Sequence, residues 1–370
     1  MFSKSRLWIH ISLIPLYITL ALYFDLIHIP STPSSSPILE LALLKLRTAT
    51  SSIATLPLPL SKLVALPSKS LSRTSASSST PPLNPMQFTT RKSQDRGHAD
   101  HGWLKTFHTF SFAMYHSPNH THFGPLRVLN EDRISPNTGF GTHSHREFEI
   151  FSYVVQGELE HKDSMGNTEI LKRGHIQMTS AGTGISHSEK AAPSSPHTHD
   201  VHFLQIWSLP HTPRLTPKYY TRFFSDAEKM NRLVRVVAPV RSKGVEMVRD
   251  GDGEGDGQGP APVNSQLTMY AGLVEGGRGV EVKMEGRKGY VHVVMQSGYR
   301  YGAVKEGDES EGGRVWVGEV HGDGDGGVKG EGVDLNEGDG VYIFNPSKDG
   351  VLRVENVGDV LVEVLVFDLE

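Results

Sequence analysis

The amino-acid sequence predicts an all-β protein. Short runs rich in valine and isoleucine recur between glycines and turn-forming residues, and the 370 residues include 38 glycines and 22 prolines. This spacing is typical of strands joined by short turns. The strands fall in two stretches of similar character, which favours two β domains, and the length of the chain leaves room for both.

The first β-rich stretch is centred on residues 148–184 and is expected to form a meander. Its apolar runs are interrupted at Gly157, at residues 163–167 and at Gly174. The sequence DSMGN at 163–167 lies between two alternating runs, which is a signal for a β-hairpin. The sequence VHFLQIWSL at residues 201–209 predicts a further strand.

The second β-rich stretch, residues 263–370, contains similar runs, among them VEVKM, YVHVVM and VLVEVLVFDL. The Leu-x-x-Gly opening of LKRGHIQM at Leu171 returns in LNEGDGVYIF at Leu335. Together with the strand pattern, this echo favours two copies of one small β-barrel. We therefore predict a first domain at residues 86–240 and a second at residues 263–370.

Residues 241–262 are predicted to be a linker, because RDGDGEGDGQGPAP is rich in aspartate and glycine. A similar run, HGDGDGGVKGEG, begins at His321. Alternating Asp and Gly resemble a calcium loop, but the first run has no flanking helix pattern. Neither the closing glutamate of an EF-hand nor a nine-residue repeat is present. Solvated loops are expected at both places.

Residues 1–85 are predicted to be a leader that does not pack on the folded body. An apolar segment at residues 7–29 is followed by a basic stretch rich in Ser and Pro, with no acidic residue after Glu40. This pattern is shared by targeting peptides, membrane anchors and plain disordered leaders, and the sequence leaves them open. We expect a cytoplasmic or nuclear protein if translation starts at Met86, and a mitochondrial or membrane-anchored one if the leader is translated.

The composition excludes several classes of function. The chain has no cysteine, which excludes disulfides, thiolate nucleophiles, iron–sulfur clusters and zinc fingers. A net charge of −4 gives no basic surface for nucleic acid. Any metal ion must be held by His, Asp, Glu or water.

Two histidines, His143 and His145, are one residue apart in GTHSHREFEI, a run that otherwise reads as a strand. Residues i and i+2 of a strand point to one face, so both imidazoles can reach one object. The segment AGTGISHSEK supplies His187 and Glu189 at the same spacing. Three imidazoles and a carboxylate suit a divalent first-row metal such as Fe(II). The alternative is surface histidines in a chain that has 19 of them.

Glu149 competes with Glu189 for the place of the carboxylate ligand. Glu149 lies four residues beyond His145, about 13 Å along an extended strand, and reaches the same ion only if the strand bends. Glu189 is the near neighbour of His187 and needs no such bend. The ligand set that includes Glu189 is therefore the better prediction.

The remaining histidines are expected to have other roles. His108 belongs to an aromatic segment at residues 96–115 that is expected to pack against the barrel as core. His197 and His199 form a second His-x-His, but prolines and polar residues surround it, so a solvated loop is expected. Gln205 is expected to be a hydrogen-bonded residue of a strand.

Three segments, at residues 96–115, 123–167 and 174–189, resemble the pirin family, in particular its microbial branch with quercetin 2,3-dioxygenase-like activity. The resemblance implies a bicupin fold, in which two jelly-roll β-barrels face each other and only the N-terminal one binds metal. It implies that Glu149 acts beside the metal rather than on it. It also implies that the sequences HSH and HSE supply four metal ligands, His143, His145, His187 and Glu189.

For function, the resemblance implies a dioxygenase that cleaves the ring of a flavonol such as quercetin and releases carbon monoxide. The expected cofactor is one divalent metal, first of all Fe(II), with Mn, Ni, Co, Cu and Zn as alternatives. Glu189 or Glu149 is expected to be the catalytic base, and the sequence does not rank the two. The alternative function is an iron-binding transcriptional cofactor or redox-sensing binding protein of pirin type.

The expected partners of the chain are dioxygen and a small aromatic chelator. We expect a monomer without direct contact to nucleic acid. A nuclear role would require a protein partner, because no basic or aromatic DNA-binding face stands out in the sequence.

Overall fold

The computed structural model of the chain describes residues 86–193, 200–248, 257–298, 312–321, 328–346 and 351–370. These residues lie in one compact unit, Pro82–Glu370. The predicted leader at residues 1–85, the His-x-His at 197 and 199 and most of the two Asp/Gly runs lie outside the described residues. Among the residues described, no helix is both long and apolar enough to cross a membrane.

The regular secondary structure of the described residues is almost entirely strand, with one 3-10 turn (Ser93–Asp95) and one short helix, α1 (Asp226–Lys229). In chain order the strands are β1 (Gln87–Arg91), β2 (Gly97–Asp100), β3 (Leu104–His108), β4 (Leu126–Ile134), β5 (Gly139–His145), β6 (Glu149–Gln156), β7 (Glu158–Asp163), β8 (Thr168–Lys172), β9 (His175–Ser180), β10 (Ile185–Ala191), β11 (Val201–Ser208), β12 (Lys218–Phe223), β13 (Val234–Pro239), β14 (Ala261–Val263), β15 (Leu267–Val274), β16 (Gly279–Val282), β17 (Lys288–Val293), β18 (Arg314–His321), β19 (Val328–Asn336), β20 (Gly340–Phe344), β21 (Val351–Asn356) and β22 (Val362–Leu369). The all-β prediction is confirmed.

Two sheets form each half of the fold. In the first half, a seven-stranded sheet has the order β12-β9-β6-β11-β4-β3-β2 and faces a four-stranded sheet with the order β5-β10-β7-β8. The second half repeats the arrangement with β1-β20-β17-β22-β15-β13-β14 and β16-β21-β18-β19. The predicted pair of barrels is thus present, and the two large sheets contribute residues to one shared apolar core.

Sheet membership does not follow chain order at the start of the described residues. Strand β1 pairs with β20, with Gln87 opposite Phe344, so the first strand completes the sheet of the second half. In the first half, the corresponding edge position belongs to β12, which pairs with β9. Strand β13 also lies in the second large sheet, against β15. The boundaries at residues 240 and 263 remain a prediction.

The long apolar run of β22 is explained by burial on both of its faces. Leu365 and Phe367 belong to the core that the two halves share, whereas Val364 and Val366 belong to the core of the second barrel. Because side chains alternate across a strand, a strand between two cores carries apolar residues on both of its faces. Strand β11 of the first half follows the same rule with Leu204 and Phe203.

The sequence echo at Leu171 and Leu335 marks equivalent turns. Both leucines are buried, and each is followed after two residues by a glycine with positive φ, +87° at Gly174 and +79° at Gly338. Both glycines adopt the left-handed backbone conformation, which residues with a side chain rarely adopt. The Leu-x-x-Gly motif therefore records one turn used twice.

A buried polar cluster also joins the two halves. The carboxylate of Glu131 on β4 is 2.9 Å from Nε2 of His202 on β11 and 2.9 Å from Nε2 of His292 on β17. Arg96 lies 3.5 Å from the same carboxylate. All four side chains are buried, which is tolerable only because each charge has a partner.

Candidate metal centre

The predicted histidines meet on two neighbouring strands of the small sheet in the first half. Strands β5 and β10 are antiparallel, with His143 directly opposite His187 and His145 opposite Ile185. His143 and His145 share one face of β5, because they are two residues apart. The register therefore places all three imidazoles on the side of the sheet that faces the barrel interior.

The three histidines form one cluster. Their candidate ligand nitrogens all lie within 4.8 Å of one another, and this is the only such group of three or more His, Asp or Glu residues in the described part of the chain. Nε2 of His187 lies 3.2 Å from Nε2 of His143. The ring centroids of His143 and His145 are 4.7 Å apart, and those of His145 and His187 are 4.8 Å apart.

Hydrogen bonding and burial leave these imidazoles with free lone pairs. Nδ1 of His143 donates to the carbonyl oxygen of Gly141 at 2.8 Å, which leaves Nε2 as the nitrogen that can bind a metal ion. Burial lowers the pKa of His145 to about 3, and the positive charges that His187 and His143 could carry lower it further. Burial and His143 likewise lower the pKa of His187 to about 3. Neutral imidazoles are the form that binds metals.

Glu189 faces the same side of β10 as His187, because it lies two residues further along the strand and β10 pairs regularly with β7 there. The pairing of β10 with β5 is irregular at this point. Glu189 pairs with Phe140, so β5 has one residue more than β10 between the two pairs. The carboxylate is fully buried; its Oε1 accepts a hydrogen bond from Ser152 Oγ at 2.7 Å, and its Oε2 has no hydrogen-bond partner. Glu189 is not part of the histidine group.

Glu149 is engaged elsewhere. It lies at the start of β6 and accepts three hydrogen bonds, one from Ser180 Oγ at 2.6 Å and two from the backbone and side-chain nitrogens of Asn264 at 2.9 and 3.2 Å. Burial raises the pKa of this carboxyl group. Each of its oxygens already has a donor, unlike Oε2 of Glu189.

His161 is a neighbour of the cluster that the sequence reasoning missed. It lies on β7, directly opposite Glu189 on β10, and its ring is 5.2 Å from that of His187. The ring stacks on Tyr219 at 4.9 Å and lies 3.6 Å from the carboxylate of Asp163. Only the pairing of the DSMGN hairpin with β10 brings it there, and no local motif signals that pairing.

Trp207 was also missed. It lies in β11, and its ring packs edge-on against His145 at 4.8 Å and against Phe112 at 5.5 Å. Phe148 approaches the same ring at 5.2 Å. These aromatic rings form an apolar wall beside the cluster, which lowers the local dielectric.

His108 is placed where the sequence predicted it, in a buried position. Its Nδ1 lies 2.9 Å from Oδ1 of Asn130, and burial lowers its pKa to about 4. Its ring packs against those of Phe112 and Tyr115. His108 therefore belongs to the hydrogen-bonded interior rather than to the histidine group.

The buried carboxyl group of Asp132 should make the stability of the protein depend on pH. Its buried carboxyl accepts a hydrogen bond from Thr106, and its pKa is raised from 3.8 to about 7 by burial, with added repulsion from Glu189 and Glu131 and opposition from Arg96. The folded state therefore holds a proton that the unfolded state loses above pH 4. The contribution of this pKa difference to the free energy of unfolding should be fully present below about pH 4 and decline as the pH rises towards 7.

Chemical unfolding of the metal-free protein between pH 4 and 8 tests this prediction. In that window Asp132 should lower the free energy of unfolding by up to about 1.4 kcal/mol per pH unit. Replacing Asp132 with asparagine should remove this slope. The variant should gain stability relative to the wild type as the pH rises. Equal slopes in the two proteins would contradict the raised pKa.

A family model and a solved structure that match this chain identify its family. A family model described as Pirin matches residues 89–208. The crystal structure of YhhW from Escherichia coli matches with a TM-score of 0.57 at 32% sequence identity, over 77% of this chain and 98% of that one. The chain belongs to the pirin family. The resemblance found in the sequence is thereby confirmed.

Two further comparisons concern the metal and the reaction. The bacterial pirin YhhW in complex with nickel(II) matches with a TM-score of 0.57 at 32% identity, over 76% of this chain and 99% of that one. A quercetin 2,3-dioxygenase of Escherichia coli K12 is 51% identical over 144 residues, which cover 39% of this chain and 61% of that protein. The chain thus spans about three fifths of the length of this curated relative.

Proposed function

We propose that the chain is a metal-dependent dioxygenase that opens the ring of a flavonol such as quercetin. The observation that supports this function best is the group of three histidines with candidate ligand nitrogens within 4.8 Å of one another. The name of the 51% identical relative indicates the substrate class. We propose Fe(II) as the metal, His143, His145, His187 and Glu189 as its ligands, and carbon monoxide as the second product.

The donor atoms fit a divalent first-row ion. Two nitrogens bound at about 2.1 Å to one ion, at tetrahedral or octahedral angles, lie roughly 3.0–3.4 Å apart. The 3.2 Å between Nε2 of His143 and Nε2 of His187 falls in this range. Three imidazoles and one carboxylate suit Fe(II), and the complex of a related pirin with nickel(II) supports a divalent first-row metal.

The residues around the cluster would prepare a chelating substrate for reaction. The metal, when bound, supplies Lewis-acid polarisation of the chelating oxygen. The edge of Trp207 against His145 keeps water from one side of the site. Oε2 of Glu189, which has no hydrogen-bond partner, is the oxygen available either to bind the metal or to accept the proton of the substrate hydroxyl. Glu149 would act only indirectly, because both of its oxygens have donors.

Oxygen uptake by the purified, metal-loaded protein tests the function. With quercetin we expect sustained dioxygen consumption, with carbon monoxide released in proportion. The metal-free protein should show neither, and adding back Fe(II), Ni(II) or Mn(II) separately should identify the metal that supports turnover. Tight iron binding without any turnover would contradict the enzyme and favour the cofactor role.

A further inference from the structure

A row of polar side chains crosses the inner face of the large sheet in the first half. The strand register places His108 opposite Asn130, Asn130 opposite Gln205, and Gln205 opposite Ser152. The four residues come from the adjacent strands β3, β4, β11 and β6, at one level of the sheet. All four side chains are buried, although most other buried residues of these strands are apolar.

Hydrogen bonds explain how this row is tolerated. Oδ1 of Asn130 is 2.9 Å from Nδ1 of His108, and Nδ2 of Asn130 donates to Oε1 of Gln205 at 3.4 Å. Ser152, opposite Gln205, donates across the barrel to Glu189 at 2.7 Å. A buried polar group without a partner costs free energy, and these hydrogen bonds give each of the four side chains a partner.

The bond between Ser152 and Glu189 connects the two sheets beside the histidine cluster. Both side chains have zero exposure, so water does not compete for the bond. The hydroxyl engages one carboxylate oxygen, Oε1, and leaves Oε2 without a partner. A hydrogen bond to one carboxylate oxygen orients the group, and here it leaves the other oxygen, Oε2, with both of its lone pairs for another ligand.

We propose that Ser152 is a positioning residue for Glu189: it holds Oε1 and thereby presents Oε2 to the metal ion. The inference rests on the proposed metal site. Outer hydrogen-bond partners of metal ligands fix ligand orientation, and their loss costs roughly 10- to 100-fold in metal affinity. The sequence gives no hint of this role, because Ser152 lies 37 residues from Glu189 and within the mostly apolar run of residues 150–155.

The test is metal affinity, measured by competition with a chromogenic chelator and therefore independent of turnover. Ser152→Ala should weaken binding of Fe(II) or Ni(II) by roughly 10- to 100-fold. Ser152→Thr and Ser152→Val form a second, nearly isosteric pair that separates the hydroxyl from side-chain volume. We expect the threonine variant to bind metal like the wild type and the valine variant to bind as weakly as the alanine variant.

Ser180 provides a matched control. It is also a buried serine, and its hydroxyl donates to a buried glutamate, Glu149, at 2.6 Å. Ser180→Ala should lower the thermal midpoint of the metal-free protein to a similar degree as Ser152→Ala, yet leave metal affinity unchanged. This contrast separates a positioning role from a general loss of stability.

Several outcomes would overturn the inference while leaving the metal site intact. Wild-type affinity in Ser152→Ala, tighter binding in that variant, or equal losses in the Ser152 and Ser180 variants would each do so. A wild-type chain that binds no divalent metal would contradict the proposed function itself. The two failures are therefore distinguishable in one series of measurements.

Discussion

Replacing His187 with alanine should abolish stable binding of a divalent metal. His187 is the most buried of the three histidines, and its Nε2 faces Nε2 of His143 at 3.2 Å. Without it, the proposed site would keep only two imidazoles and one carboxylate. The affinity should fall by more than the roughly 10- to 100-fold that follows the loss of an outer partner. His143→Ala should have the same effect, measured as metal per chain after dialysis against a weak chelator.

His101 serves as the control for these variants, because it is exposed and lies outside the histidine group. His101→Ala should retain one metal ion per chain. Full metal occupancy in His187→Ala or His143→Ala would show that the cluster is not the metal site. Loss of metal in all three variants would point to a general effect on folding instead.

The two glutamates should respond differently to substitution by glutamine. Glu189→Gln should weaken metal binding, because an amide is a poorer ligand than a carboxylate. Glu149→Gln should retain metal but lose about 1–3 kcal/mol of stability, because an NH₂ group replaces an oxygen that accepts from Ser180 or Asn264. Metal content and thermal midpoints of both variants, measured side by side, check the prediction.

The opposite pattern would assign the glutamates the other way round. If Glu149→Gln lost its metal while Glu189→Gln kept it, the carboxylate ligand would be the one four residues beyond His145. The hydrogen bonds of Glu149 would then have to rearrange when metal binds. Glu189 would be left as a buried carboxylate paired only with Ser152.

Local sequence signals were sufficient for much of the fold. The DSMGN hairpin forms between β7 and β8, with Asp163 Oδ1 accepting from the backbone nitrogens of Met165 and Asn167. The alternation in β5 correctly predicts that His143 and His145 share a face. These features depend on neighbours in sequence, so the sequence reveals them without knowledge of the tertiary fold.

Features set by distant pairing could not be read in the same way. Strand β1 completes a sheet whose other strands begin at Val234, and no pattern within its five residues signals a partner at Gly340–Phe344. Ser152 and His161 lie beside the cluster only because their strands pair or face β10. Strand register fixes which side chains meet, and a single sequence does not contain that register explicitly.

Anomalous X-ray scattering from crystals of the metal-loaded protein is the most direct test of the account. We expect one anomalous peak per chain, with bonds of about 2.0–2.2 Å to nitrogens of His143, His145 and His187 and to Oε2 of Glu189. Ser152 should still donate to Oε1 in that structure. A peak at another place, or a peak whose carboxylate ligand is Glu149, would contradict the proposed metal centre.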